Sequence, residues 1–128
     1  MATSVMVIDD DRDIRFVIRM NLEAEGYDVH ECADGAAAVD AIGTTMPDII
    51  VCDIMMPGVD GYGVLEHLKA HHETSHIPLI FLSAKGSDRE IWEGWQSGAD
   101  YYLTKPFDPD ELLTYLRYVE SAAGLRDA

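Results

Sequence analysis

The sequence predicts an α/β domain in which a five-stranded parallel sheet is covered by helices on both faces, a doubly wound (βα)5 arrangement. Short apolar runs alternate five times with longer segments of helical period along the chain. Three of these runs are apolar without alternation, which is typical of strands that are covered on both faces. The alternating order of strands and helices implies parallel strands joined by right-handed crossovers. The chain has 128 residues, so we expect a single domain over residues 1–128.

The five predicted strands differ in the strength of their signal. They cover residues 4–9, 27–31, 48–53, 77–82 and 100–103. The first, third and fourth contain four consecutive apolar residues, as in Val5-Met6-Val7-Ile8. The second alternates apolar and polar residues and the fifth is short, so these two give weaker predictions.

Five helices are predicted after the strands, at about 12–25, 34–45, 61–72, 88–97 and 109–122. The first is followed by Gly26, a residue type that favours the end of a helix. Its predicted apolar face comprises Ile14, Val17, Ile18 and Leu22. The last begins at Pro109, which suits the first helical turn. Its predicted apolar face comprises Leu112, Leu116 and Val119.

The composition excludes several classes of partner. The chain has 24 Asp and Glu against 9 Lys and Arg, a net charge of −15. A body of this charge repels phosphate backbones and anionic lipids, so we expect no nucleic-acid or membrane binding by this domain and an affinity for cations. No apolar run approaches the roughly 20 residues of a membrane span, which predicts a cytoplasmic protein. Cys32 and Cys52 lack the spacing of a metal or redox pair, and we expect reduced, partly buried thiols.

Polar residues follow four of the five predicted strands, where parallel sheets bind their ligands. They are Asp9-Asp10-Asp11, Asp53, Ser83 and Thr104-Lys105-Pro106. Carboxylates held close together need a cation, and oxygen ligands on loops suit Mg²⁺. A carboxylate nucleophile, a metal, an ammonium group and a hydroxyl together indicate phosphoryl transfer onto an aspartate. Helix capping would explain the first three aspartates but not Asp53, which ends a fully apolar strand.

The same positions lie in four longer motifs. These are Val7-Ile8-Asp9-Asp10-Asp11, Cys52-Asp53-Ile54-Met55-Met56-Pro57-Gly58-Val59-Asp60-Gly61, Phe81-Leu82-Ser83-Ala84 and Tyr102-Leu103-Thr104-Lys105-Pro106-Phe107. With these motifs in this order, the chain resembles the receiver domain of two-component response regulators, the CheY-like family, over essentially its whole length. The resemblance implies a three-layer, flavodoxin-like sandwich with strand order 2-1-3-4-5.

The resemblance also implies a phosphoacceptor and a metal site. Asp53 would accept a phosphoryl group from the phosphohistidine of a sensor histidine kinase or a histidine phosphotransfer protein. Mg²⁺, or Mn²⁺ as a substitute, would be bound by Asp10, Asp53 and the backbone carbonyl of Met55. Asp9 would act mostly through a bound water.

Three further residues would respond to phosphorylation, again by resemblance. Lys105 would pair first with Asp53 and then with the phosphoryl group. Ser83 would bind a phosphoryl oxygen, and Tyr102 would turn inward when Ser83 moves. The Lys105–Pro106 peptide is expected to be cis, an isomer that only proline makes inexpensive.

The predicted function is therefore that of a phosphorylation-dependent signalling switch, not of an enzyme that acts on an external metabolite. The surface formed by the fourth predicted helix, the fifth strand and the last helix would change and control an output protein or a fused output domain. Two alternatives stay open. A Mg²⁺-dependent phosphohydrolase with an aspartyl-phosphate intermediate would usually need a lid over its substrate. A flavodoxin-like cofactor-binding module would want a phosphate loop rich in Ser, Thr and Gly where this chain has three aspartates.

Two surface features have two interpretations each. Arg12, Arg15 and Arg19 recur along one stripe of the first predicted helix, either as a docking face for a kinase helix bundle or as a solvated face paired with carboxylates. Trp92 and Tyr115 either form an exposed, phosphorylation-sensitive patch or are half-buried.

Two further groups of side chains bear on assembly and on metal binding. Tyr101 and Tyr115 stand where the common dimer of the family has an Asp and an Arg, so a homodimer would be weak or phosphorylation-induced. A group of histidines is expected to form a solvated helix end instead of a metal site. They are His67, His71, His72 and His76.

Overall fold

The computed structural model describes residues 2–83 and 99–124, in which five strands alternate with four helices. The strands are β1 (Ser4–Ile8), β2 (Asp28–Cys32), β3 (Ile49–Asp53), β4 (Leu79–Ser83) and β5 (Tyr101–Thr104), and the helices are α1 (Arg12–Ala24), α2 (Gly35–Thr45), α3 (Gly61–Ala70) and α4 (Pro109–Ala122). All five predicted strands are confirmed. The helix predicted at about 88–97, which carries Trp92, lies outside the described residues. None of the described helices is long and apolar enough to cross a bilayer.

The strands form one parallel sheet in the order β2-β1-β3-β4-β5, as the resemblance implied. Ile8 at the end of β1 lies opposite Cys32 on one side and Cys52 on the other. At the same edge of the sheet, Ser83 of β4 lies opposite Thr104 of β5. The carboxyl ends of β1, β3, β4 and β5 therefore meet at one edge, which we call the upper edge.

Alternate strand residues face opposite sides of the sheet, so two apolar cores form. One core lies between the sheet and the pair α2 and α3, and the other lies between the sheet and the pair α1 and α4. Every residue of β3 and β4 is buried, as the unbroken apolar runs predicted. On α1, Ile18 and Leu22 are buried, but Val17 is 47% exposed, so the predicted apolar face was too wide. Only the central stripe of α1 contacts the sheet.

An aspartate N-cap precedes each described helix. The caps are Asp11, Asp34, Asp60 and Asp108, and each carboxylate accepts a hydrogen bond from the first helical turn. Such caps stabilise a helix because they satisfy backbone N–H groups that have no partner within the helix. Since each described helix follows the carboxyl end of a strand, these four charges lie near the upper edge. Four of the 24 acidic residues of the chain thus have a structural role as helix caps.

The end of α3 differs from the prediction. The helix stops at Ala70 and not at residue 72, because His71 has an extended backbone. The Thr74 hydroxyl donates a hydrogen bond of 2.9 Å to the carbonyl of Leu68 and so replaces a further helical turn. The rings of His67 and His71 lie 4.5 Å apart, and His71, like His72, is exposed.

Candidate functional site

Asp53 ends β3, and close packing fixes its main chain. The residue is 6% exposed. The buried Cys52 thiol donates a hydrogen bond of 3.2 Å to the Asp53 carbonyl, and burial raises the pKa of this thiol well above its usual value. A Cβ atom on Gly61 would lie only 2.6 Å from the Asp53 carbonyl oxygen and 2.8 Å from Ile54 Cα. Gly61 therefore permits the start of α3 to approach the residue that ends β3.

Asp9 follows β1 and is completely buried. Its backbone N–H donates to the carbonyl of Cys32 over 3.2 Å, so the chain continues in line with the sheet. One carboxylate oxygen accepts a hydrogen bond of 2.9 Å from the N–H of Asp11, and the other lies 3.0 Å from Lys105 Nζ. Asp10, the next residue, is exposed. The turn after β1 thus presents one fixed, buried carboxylate and one that faces solvent.

Carboxylate oxygens of Asp9, Asp10 and Asp53 lie within 4.8 Å of one another. Burial, followed by the negative charge of Asp9, raises the pKa of Asp53 from 3.8 to about 6, although Lys105 opposes the shift. Oxygen donors of this kind, one of them open to solvent, fit the preference of Mg²⁺ for a few carboxylates and several waters. The three residues therefore fit a hard divalent cation, which would relieve their mutual repulsion.

Lys105 supplies the positive charge of the site. Its Nζ lies 3.0 Å from an oxygen of Asp9 and 3.4 Å from an oxygen of Asp53. Burial alone would lower the pKa of Lys105, but the hydrogen bond and charge of Asp9, together with Asp53, raise it. Its backbone N–H donates to the Ser83 carbonyl over 2.8 Å, and the Lys105–Pro106 peptide is cis, as expected. The ammonium group thus bridges two of the carboxylates.

Ser83 ends β4 and is completely buried, and its Oγ has no hydrogen-bond partner among the residues that the structure describes. A buried hydroxyl left without a partner costs about 1 to 3 kcal/mol. On the neighbouring strand β5, the ring of Tyr102 lies 5.7 Å from that of Phe81 and is half-buried. Within the described residues, the Ser83 hydroxyl thus keeps an unused hydrogen-bonding capacity.

Comparison with known proteins identifies this arrangement. Residues 5–117 match the family model of the response regulator receiver domain. The chain belongs to this family. Receiver domains are parts of signalling proteins of two-component systems, which agrees with the predicted class.

Individual relatives support the assignment. The DNA-binding dual master transcriptional regulator RpaA of Synechocystis sp. is 41% identical over 113 residues, which are 88% of this chain and 47% of RpaA. This receiver domain therefore spans about half the length of that relative. The Francisella response regulator 1452 receiver domain is 38% identical, with a TM-score of 0.86 over 94% of this chain and 98% of that one. Vibrio cholerae chemotaxis protein CheY4 is 29% identical, with a TM-score of 0.87 over 93% and 99% of the two chains.

The receiver fold brings together most of the residues that the sequence singled out. The cluster at the upper edge comprises Asp9, Asp10, Asp53, Ser83 and Lys105. Met55 lies in the loop after β3, with 65% of the residue exposed. The shorter contact of Lys105 is with Asp9, whereas the resemblance had emphasised Asp53.

The arginine stripe of α1 proves to be largely paired. Arg15 and Arg19 each form an ion pair with Glu31 of β2, at 3.1 and 2.9 Å, and Arg19 also pairs with Glu23. The same helix also exposes apolar side chains, with Phe16 at 60%, Val17 at 47% and Met20 at 57%. These contacts favour the interpretation of a paired helix face over that of an arginine docking face.

One contact of the site was not visible in the sequence. The Arg15 guanidinium donates a hydrogen bond of 2.6 Å to the backbone carbonyl of Asp9. Nothing in the spacing of α1 distinguishes Arg15 from its neighbours Arg12 and Arg19, because the contact depends on how the helix packs on the sheet.

The tyrosines of the last strand and helix are partly packed. Tyr101 and Tyr115 are half-buried, and their rings lie 5.2 Å apart. This stacking agrees with the half-buried interpretation of Tyr115. Tyr118 on the outer face of α4 is 60% exposed.

Proposed function

We propose that this receiver domain, a single unit over residues 1–128, is a phosphorylation-dependent switch in which Asp53 is the phosphoacceptor. The observation that carries the proposal is the convergence at one sheet edge of a buried carboxylate, two further carboxylates, a paired ammonium group and a buried hydroxyl without a partner among the described residues. Each group matches a need of phosphoryl transfer onto a carboxylate.

In the proposed reaction, an oxygen of the Asp53 carboxylate attacks the phosphorus of a phosphohistidine on the donor. The new O–P bond forms as the P–N bond breaks, and the electron pair returns to the imidazole nitrogen, which gains a proton from solvent. Lys105 lies within 3.4 Å of Asp53, so its ammonium group orients the nucleophile and pairs with the transferred group. The domain assists its own phosphorylation and acts on no external metabolite.

The three carboxylates would hold Mg²⁺, or Mn²⁺ in its place. We assign Asp10, Asp53 and the Met55 carbonyl as its protein ligands, and Asp9 as a ligand through water. The bound ion would supply positive charge to the phosphoryl oxygens. Asp10 is exposed and Asp9 is buried, so the Asp10 carboxylate would be the ligand that faces solvent.

The switch itself would use Ser83. Its hydroxyl would donate a hydrogen bond to a phosphoryl oxygen and so gain the partner that it lacks among the described residues. The backbone N–H of Lys105 donates a hydrogen bond of 2.8 Å to the Ser83 carbonyl, so a movement of Ser83 would displace the residues that follow β5. Tyr102 would turn inward, and the surface of β5, α4 and the predicted helix at about 88–97 would change.

The donor, a histidine kinase or a histidine phosphotransfer protein, would dock over α1. Exposed apolar side chains follow one another there, with Phe16 at 60% and Met20 at 57%. A groove of about 540 Å³ between α1 and the loop after β5 adds Val17 and Phe107 to this apolar surface, next to Lys105. Since Arg15 and Arg19 are occupied by Glu31, apolar contact would supply most of the docking energy.

The output would lie in another protein or in a fused domain. RpaA, of which this chain spans about half the length, is described as DNA-binding. With a net charge of −15, this receiver domain would not bind DNA itself. A homodimer, if one forms, would be weak or induced by phosphorylation.

The proposal is tested by intact mass after incubation with acetyl phosphate, with and without Mg²⁺, on the wild type and on Asp53→Asn. One phosphoryl adduct is expected in the wild type with Mg²⁺ only, and none in Asp53→Asn. Asp48→Asn is a control, because Asp48 lies at the opposite edge of the sheet against Ser4. An adduct of equal yield in Asp53→Asn would contradict the assignment. A parallel titration with beryllium fluoride distinguishes rapid hydrolysis from failure to react.

A further inference from the structure

The guanidinium of Arg15 connects three parts of the fold. From α1 it donates to the backbone carbonyl of Asp9 over 2.6 Å, and its Nε lies 3.1 Å from a carboxylate oxygen of Glu31 on β2. Only 14% of the side chain is exposed. The turn after β1 is therefore bound to the neighbouring strand through one planar group with fixed donor directions.

Glu31 is itself held in place. Its second oxygen accepts a hydrogen bond of 2.9 Å from Arg19, which also pairs with Glu23 over 3.1 Å. The hydrogen bond from Arg19, with a smaller contribution from Arg15, lowers the pKa of Glu31 below its usual 4.5 although partial burial opposes the change. Glu31 thus stays ionised, and the oxygen that pairs with Arg15 is not the one that Arg19 contacts.

The Asp10 carboxylate depends on this arrangement. It forms no hydrogen bond or ion pair with another residue in the described ranges 2–83 and 99–124, so no side-chain contact within these ranges fixes it. Asp9, in contrast, has contacts from the N–H of Asp11 and from Lys105. The position of the Asp10 carboxylate therefore follows from the main chain of the turn, which the Asp9 carbonyl anchors.

We propose that Arg15 is a positioning residue for the cation site. By holding the Asp9 carbonyl, it fixes the turn that presents the carboxylates of Asp9 and Asp10 to Asp53. The inference rests on the proposed function, because it requires that these carboxylates bind Mg²⁺. Partners that orient metal ligands from outside the coordination sphere typically change metal affinity about 10 to 100-fold when they are removed.

The charge of Arg15 and its positioning role predict opposite changes in Mg²⁺ affinity when Arg15 is removed, so an experiment can distinguish them. A guanidinium close to a cation site repels the cation, so its removal should tighten Mg²⁺ binding if charge were its only effect. Loss of a fixed turn should weaken binding. The direction of the change in Mg²⁺ affinity therefore separates positioning from electrostatics.

The experiment is a calorimetric Mg²⁺ titration of the full chain for the wild type, Arg15→Gln, Arg15→Lys and Arg19→Gln. Arg19→Gln is the matched control, because Arg19 shares Glu31 and the helix with Arg15 but does not contact Asp9. Arg15→Gln should raise the Kd for Mg²⁺ about tenfold or more, and Arg19→Gln should change it less than about twofold. Arg15→Lys should recover only part of the loss, since one ammonium group cannot reproduce both guanidinium contacts.

A second measurement reports on the turn without Mg²⁺. Hydrogen exchange of the Asp11 amide, which donates to Asp9, should accelerate in Arg15→Gln and stay unchanged in Arg19→Gln. If Arg15→Gln does not fold, the Kd for Mg²⁺ and the exchange rate of the Asp11 amide are compared between Arg15→Lys and Arg19→Lys instead.

The outcomes separate the inference from the function on which it rests. If the wild type binds Mg²⁺, Asp10→Asn abolishes that binding, and Arg15→Gln binds Mg²⁺ equally or more tightly, the role of Arg15 is refuted and the proposed function stands. If the wild type does not bind Mg²⁺, or Asp10→Asn binds it unchanged, the proposed metal site fails and the inference fails with it.

Discussion

Replacement of Asp53 by asparagine should stabilise the metal-free domain at neutral pH. The residue is 6% exposed, and burial with the charge of Asp9 raises its pKa from 3.8 to about 6. At about 1.4 kcal/mol for each pH unit between these values, the ionised carboxylate lowers the free energy of unfolding by about 3 kcal/mol. The asparagine would keep the shape of the side chain without its charge, and Lys105 would keep its 3.0 Å contact with Asp9. Because the new amide also needs hydrogen bonds, we expect a net gain of about 1 to 3 kcal/mol.

The gain should depend on pH in a defined direction. In the unfolded chain Asp53 loses its proton near 3.8, and in the folded domain near 6, so between these values the folded state binds more protons. Stability of the wild type therefore falls as pH rises through this interval, and the full penalty is present above about pH 6. The electrostatic part of the advantage of Asp53→Asn should be largest above that pH, about half as large near pH 5, and absent below about 3.8.

Urea unfolding in EDTA, followed by circular dichroism at about pH 7.5 and about pH 5, measures this difference. Asp40→Asn, which changes an exposed aspartate of α2, is the control and should alter stability by less than about 0.5 kcal/mol. Added Mg²⁺ should stabilise the wild type more than Asp53→Asn and so narrow the gap. Equal stability of the two proteins at neutral pH, or a gap that does not change with pH, would refute the electrostatic reasoning.

The remaining predictions concern the packing around Gly61, the proposed switch residue Ser83 and the negative electrostatic potential of the domain. Gly61→Ala should lower the free energy of unfolding by about 1 to 3 kcal/mol, because the new Cβ would overlap the Asp53 carbonyl. Gly43→Ala, in an open part of α2, should instead raise the free energy of unfolding by about 0.5 to 1 kcal/mol. Urea unfolding of the two variants checks both values. Ser83→Ala should leave the unphosphorylated fold as stable or more stable, yet gain less stability than the wild type from beryllium fluoride with Mg²⁺ in thermal unfolding. Phosphorylation by acetyl phosphate should become faster as ionic strength rises, because salt screens the repulsion between this anion and a domain of net charge −15; a rate that is independent of salt would contradict this.

Much of the fold could be predicted from the sequence because strands covered on both faces carry an unambiguous pattern. The apolar runs of β1, β3 and β4 predicted these strands to within two residues. The end of α3 could not be predicted so well. It depends on the Thr74 hydroxyl, which lies beyond the helix and donates a hydrogen bond to the Leu68 carbonyl. The apolar face of α1 was too wide at Val17, since periodicity shows which residues share a face but not how wide the contact with the sheet is.

The candidate site was predictable to a similar extent. Its carboxylates, lysine and serine follow strand ends, and parallel strands bring their carboxyl ends to one edge whatever lies between them. The contact between Arg15 and the Asp9 carbonyl could not be predicted, because it depends on the packing of α1 against β2 and on Glu31, sixteen residues away in the chain. In the same way, the sequence could not show that Glu31 forms ion pairs with two of the three arginines of the stripe.

The aspartate N-caps tie the acidity of the upper edge to the stability of the helices. Replacement of any one of the four caps by alanine would lower local charge and, by the loss of its hydrogen bonds to the first turn, would weaken the helix that follows by about 1 kcal/mol. Replacement of a cap by asparagine or serine would remove the charge and keep the capping hydrogen bond, and would give up only the favourable interaction of the carboxylate with the helix dipole, about 0.3 to 1 kcal/mol. A phosphodonor that approaches Asp53 therefore meets a negative surface that helix capping favours but does not require.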